Sequence, residues 1–156
     1  MAQLNSLDEL GWCFEQAGRL FDQKLEAYLK SFTDEVVTQA KLKLGYYQTS
    51  FGQWPTWAPL TEATQRIRTA LGYTPNDPLL RSGAMHDETY GIVQAGSRGH
   101  YTVTVGSEAD YAWRQELGDG RTPPRPWLGP ALDKACEHIE ADLCAVLYEA
   151  LAEAFA

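Results

Sequence analysis

Apolar positions in the N-terminal part of the chain recur at helical spacing. Leu7, Leu10, Phe14, Ala17, Phe21, Leu25, Tyr28, Phe32, Val36 and Ala40 follow one another at steps of three or four. Ser6-Leu7-Asp8-Glu9 has the form of a capping box with acids in the first turn, and Gly45 suits a C-cap. The pattern predicts one helix of nearly forty residues, ~55–60 Å long. Gly11 and Gly18 are places where it could break. A helix this long exceeds what a 17.4 kDa globule covers. Either it folds into a hairpin, or part of its stripe packs on another subunit.

Beyond it the pattern changes. Residues 46–60 read as a loop rich in aromatics, with Tyr46, Tyr47, Phe51, Trp54 and Trp57 alongside Pro55 and Pro59. Thr61 caps a short helix from Glu62 to Leu71 that ends at Gly72, and Pro75 and Pro78 keep the next stretch a loop. Leu79 and Leu80 are expected in a single turn before Ser82-Gly83. Thr89 to Ala95 and His100 to Val105 then flank Gly96-Ser97-Arg98-Gly99 as a β-hairpin. Tyr101, Val103 and Val105 alternate with Thr102 and Thr104, so the second strand has one buried face. Two strands alone are marginal in water, which predicts further strands from residues 46–60 or from a neighbour. Ser107 caps a helix from Glu108 to Leu117, residues 118–126 form a loop stiffened by prolines, and Pro130 opens one closing helix.

The fold class is therefore α+β: a long N-terminal helix, a small antiparallel sheet with a β-hairpin, short helices and a C-terminal helix. A chain of 156 residues suits a single domain over 1–156. Residues 1–45 are its long helix or helical hairpin, 46–128 its α+β core and 129–156 its C-terminal helix. Apolar residues at 44% and charged residues at 22% exclude the disordered class. No apolar run approaches the ~20 residues of a membrane span, and residues 1–8 lack the pattern of a secretory leader. Those features predict a protein kept in a cytosol-like compartment, away from membranes.

Charge narrows the partners. The net charge is −8, which argues against tight independent binding to duplex DNA. All seven basic residues between 45 and 125 are arginine, whereas residues 126–156 carry only Lys134 against six acids. An arginine-only middle segment suits protein interfaces, with compositional bias as the plainer alternative. Candidate chemistry is sparse. Cys13, Cys136 and Cys144 contain no CxxC, and Cys136-Glu137-His138 sets its outer members on opposite sides of a helix. No nucleophile-elbow, zincin or phosphate-loop motif occurs. Glu108 and Asp110 suit capping, and Glu137, Glu140 and Asp142 suit a solvated helical face. The aromatic loop could stack single-stranded bases, though a core or interface role fits its scarcity of lysines better. No catalytic, cofactor-binding or metal residues are expected, so the chain is not read as an enzyme.

A resemblance enters at residues 54–132. Trp57-Ala58-Pro59-Leu60-Thr61, Thr64 and Leu79-Leu80-Arg81-Ser82-Gly83-Ala84-Met85 resemble one half of a pattern found in tailed-phage tail-completion and virion-morphogenesis proteins. Val105-Gly106-Ser107, Asp110-Tyr111-Ala112, Glu116-Leu117-Gly118, Pro124-Arg125-Pro126-Trp127-Leu128 and Pro130-Ala131-Leu132 resemble the other half. Trp127 stands where Phe is commoner, and Met85 where Leu is.

The resemblance implies a non-enzymatic α+β subunit that forms a ring, most often a hexamer, at the head–tail junction. It would be assembled in the host cytoplasm and reside in the virion neck. Its partners would be copies of itself and neighbouring neck, connector or tail-tube proteins, with genomic DNA only passing through the channel. A tail terminator or a head-side stopper or adaptor shares these features, and a small ligand- or nucleic-acid-binding module is the more distant alternative. The pattern also implies a common core of Trp57, Leu60, Tyr111, Trp127 and Leu128. Pro124 and Pro126 would hold Arg121 and Arg125 on a stiff loop for docking to a partner carboxylate. An intramolecular role for Arg125 stands as the alternative.

Overall fold

The structure, a computed structural model, describes residues 6–97 and 99–156. Met1 to Asn5 of the segment read for a leader, and Arg98 of the hairpin turn, lie outside the described residues. The elements are α1 (Leu7–Lys43), α2 (Glu62–Ala70), α3 (Ala84–Asp87), β1 (Thr89–Ala95), β2 (Tyr101–Ser107), α4 (Ala112–Leu117), α5 (Leu128–Cys136) and α6 (Ile139–Ala154). This is an α+β fold with a long N-terminal helix, a hairpin, short helices and a helical C-terminus.

Helix α1 runs unbroken for 37 residues, and neither Gly11 nor Gly18 interrupts it. Its N-cap is Ser6, whose hydroxyl accepts from Glu9 N at 3.1 Å. Gly45, at φ +94°, turns the chain away just past the end and donates its N–H to Pro78 O. The helix is not folded into a hairpin. Instead α6 packs along the N-terminal half of α1, while Leu7 and Phe14 of the stripe stay more than half exposed. Phe14 meets Phe155 edge-on at 5.3 Å, Lys24 pairs with Glu149 and Glu153, and the Tyr28 hydroxyl donates to Asp142. Those contacts run in opposite chain directions, so α6 lies antiparallel to α1.

The C-terminal half of α1 carries the sheet and the core. β1 and β2 pair antiparallel from Thr89↔Ser107 to Ala95↔Tyr101. Burial alternates along β2 as the sequence predicts, with Thr102 and Thr104 outward. Gly91 allows β1 to approach α1 closely: a Cβ there would lie 2.4 Å from the Thr33 methyl. The expected extra strands do not form among the described residues. Residues 46–60 supply only the isolated bridge Phe51↔Trp54, and helix α1 covers the hairpin in place of more strands. Val36, Ala40, Leu44, Trp57, Met85, Ala112, Trp127 and Ala131 form the centre of the core.

The closing helix differs from the single one predicted. It begins at Leu128, two residues before Pro130, and it is interrupted at Glu137 and His138. The three-four stripe passes through the interruption because Ala135 and Ile139 both pack on the core. Periodicity alone therefore conceals the break. Helix α4 is likewise shorter than predicted, since residues 108–111 form a turn whose Glu108 N–H bonds to Glu88 O.

Candidate docking groove

Three blocks of the sequence pattern meet behind α5 and lock one another by hydrogen bonds. The Glu116 carboxylate, at the end of α4, accepts from the backbone N–H groups of Trp127, Leu128 and Gly129 at 2.7, 3.1 and 2.8 Å. It thus caps α5 from a distance, where the local N-cap Trp127 offers no side-chain acceptor. The Trp57 indole donates to Pro126 O at 3.0 Å. Arg125 donates through Nε and Nη2 to Ala58 O at 3.0 and 2.9 Å, and Nη2 also reaches Pro59 O at 3.4 Å.

This geometry decides the roles expected of single residues. Trp57 and Trp127 are buried together, and Leu128 packs beside them half-buried. Leu60 is also half-buried, at the edge of a groove. Tyr111 is corrected from core to surface at 41% exposure, because the smaller Ala112 occupies the inward position next to it. Arg125 is corrected from docking residue to structural latch. It is 5% exposed, and its fork holds the 58–59 backbone. Pro126 is buried with it, while Arg121 and Pro124 are exposed on the same loop.

The loop is more ordered at its start than its glycines suggest. Asp119 accepts from the N–H groups of Arg121 and Thr122, and these bonds, Thr122 first, hold its carboxyl below the ordinary carboxylate value. Gly118 has φ +75°, and a Cβ there would lie 2.9 Å from Thr122 O.

A groove of about 530 Å³ opens between α2, residues 79–85 and this loop. Four arginines line it: Arg68 from α2, Arg81, Arg121 and Arg125. No aspartate or glutamate lies among its lining residues. Arg68 is 8% exposed and donates through Nη1 to Asp77 O at 2.6 Å. Burial pushes both Arg68 and Arg125 below the ordinary arginine value. The charge of Arg81 adds to the effect on Arg68, and Arg68 in turn acts on Arg125. Arg81 stands exposed, its guanidinium 5.7 Å from the Tyr73 ring centre.

Sequence reasoning missed Arg68 and Arg81 as site residues and Glu116 as a cap. The arginine-only middle segment was the signal for the first two. For Glu116 no local signal exists, because its partners are 11 to 13 residues away.

The two tryptophans of the aromatic loop are engaged within the subunit, whereas Tyr46, Tyr47 and Phe51 are exposed. Trp57 is buried, and the Trp54 indole donates to Asp133 at 2.6 Å with its ring against Gly129. Among the described residues no group of His, Cys, Asp or Glu side chains is placed to hold a metal ion. No described helix is long and apolar enough to cross a membrane. In comparisons with family models, curated proteins and solved structures, none matches this chain.

Proposed function

We propose that the protein is a structural subunit of a tailed-phage virion, a tail-completion or neck protein that assembles as a ring at the head–tail junction. The observation that carries this reading is the mutual locking of the pattern blocks. The Trp57 to Thr61 block receives Arg125, Glu116 receives the first turn of α5, and the Pro124 to Leu128 block supplies both. Residues that resemble a phage pattern separately thus act as one structural unit, which gives a physical reason for them to occur together.

Exposed apolar surface also supports an assembling subunit. Trp12 and Phe14 on α1 and Trp113 on α4 are more than half exposed. Copies of this chain or neighbouring neck proteins would cover such faces.

The test is genetic and structural. Removing the coding sequence from the phage that carries it should leave DNA-filled heads beside separate tails, with yield restored when the protein is supplied in trans. A reconstruction of the virion should place a ring of this chain, sixfold on the resemblance, at the neck. Normal yield without the protein, or one isolated copy per particle, defeats the proposal.

A further inference from the structure

The groove gathers positive charge in a chain whose net charge is −8. Arg68 and Arg125 are both more than nine-tenths buried, and neither forms an ion pair among the described residues. Their hydrogen bonds within the subunit go to backbone carbonyls, which satisfy donors without neutralising charge. Arg125 Nη1 and Arg68 Nε and Nη2 make none of these bonds, and Trp127 Nε1 is the one described buried side-chain polar atom without a partner. The exposed charges at the groove are those of Arg81 and Arg121, with the buried charges of Arg68 and Arg125 behind them. Like charges brought together in a partly desolvated cleft repel unless an anion joins them.

The groove's rim identifies the kind of anion. Ile67 on α2 and Leu71 at its C-cap, one turn apart, are each 61% exposed beside the arginines. An occupant that fits both features carries carboxylates and apolar side chains on one face. A nucleic-acid backbone lacks the second feature and is repelled by the net charge.

The chain itself carries such a face. Residues 126–156 hold six acids against one lysine. Five of those acids already have partners within the subunit: Asp133 with Trp54, Glu137 with Lys134, Asp142 with Tyr28, and Glu149 and Glu153 with Lys24. Glu140 has none among the described residues and is exposed. Leu147, two turns on, is 46% exposed on the same side of α6. We propose that the arginine groove is a carboxylate-binding docking site that receives Glu140 and the adjoining face of α6 from a second copy of this chain.

Helix α6 lines no part of its own groove, so the two halves of the contact are different surfaces, and their head-to-tail arrangement is heterologous. Such contacts propagate from copy to copy and can close as a ring, which a two-fold contact does not do. The inference deepens the ring reading given above and rests on it only for the number of copies.

The test is self-association of the full chain by sedimentation velocity at low ionic strength. The wild type should associate, and added salt should weaken it. Arg81→Glu with Arg121→Glu should weaken it ~10-fold or more, where 1.4 kcal/mol is tenfold. Arg19→Glu with Arg66→Glu has the same net charge away from the groove and should stay close to wild type. Glu140→Arg should associate poorly alone, yet mixing it with the groove variant should restore association, since each then offers the other a matched contact. Circular dichroism checks that every variant folds, and Arg81→Gln with Arg121→Gln replaces the groove variant if it does not.

A wild type that stays monomeric to ~1 mM overturns the proposal. Equal loss in the groove and control variants, or no restoration on mixing, overturns it too. A virion lacking this chain at its neck would defeat the functional proposal while leaving the contact intact, so the two failures are distinguishable.

Discussion

Trp127 and Arg125 show how adjacent motif residues come to have different duties. Trp127 is fully buried, yet its indole N–H has no acceptor among the described residues. Trp127→Ala should lower unfolding free energy by ~3–5 kcal/mol through the cavity it leaves. Trp127→Phe should cost clearly less, because it also removes a buried unsatisfied donor worth ~1–3 kcal/mol. Urea midpoints compare the two, and an unchanged midpoint for Trp127→Ala would place the ring outside the core. Arg125 instead stabilises through its fork on Ala58 and Pro59. Arg125→Ala should cost roughly 2–4 kcal/mol, and Arg125→Lys should recover little, since an ammonium cannot reproduce the planar pair of donors. Full recovery by lysine would mean that charge, not geometry, holds the loop.

At the scale of elements, helix α5 depends on a carboxylate from α4 and helix α6 depends on α1. Glu116→Ala removes the acceptor for three N–H groups at the start of α5. It should destabilise the protein by ~1–3 kcal/mol and speed hydrogen exchange at those amides ahead of the rest. Unchanged protection there would show that α5 is capped by other means. The α1–α6 pair has a pH signature. Burial first, and then the Asp142 carboxylate, raise the Tyr28 hydroxyl from 10.0 to about 12. The folded state therefore holds this proton more tightly than the unfolded chain does. Its contribution is complete below pH 10.0 and is lost as pH rises through about 12. Tyr28→Phe should flatten that decline in denaturation midpoints, and an identical slope in the variant would remove Tyr28 as its source.

For the whole molecule, the exposed part of the 118–126 loop is what can meet a neighbour. Arg121 is exposed beside a latch that keeps the loop in place. Under the neck-protein proposal, Arg121→Ala should leave melting unchanged while lysates accumulate filled heads and separate tails. Normal phage yield would exclude Arg121 as a docking residue. The same substitution made together with Arg125→Ala would confound assembly with stability, because Arg125 is part of the fold.

Local periodicity and capping chemistry determine α1, α2 and the hairpin, since each is specified by neighbours within a few residues. Ser6 and Thr61 cap their helices with their own hydroxyls, and β2 alternates as its sequence does. Trp57 and Trp127 are expected in the core from the resemblance of the motif blocks that contain them, and both are buried. What the sequence could not determine depends on partners far along the chain. Tyr111 and Ala112 compete for one inward position, and packing chose the smaller side chain. The start of α5 is set by Glu116, 12 residues from Leu128. Arg125 carries the charge of an interface residue, yet Ala58 O, 67 residues earlier, decides that it is a latch. Arg68 and Arg81 become part of one groove only when α2 and residues 79–85 fold beside the 118–126 loop. Sequence spacing encodes turns and faces, whereas the close approach of distant charges and carbonyls exists only in the tertiary structure.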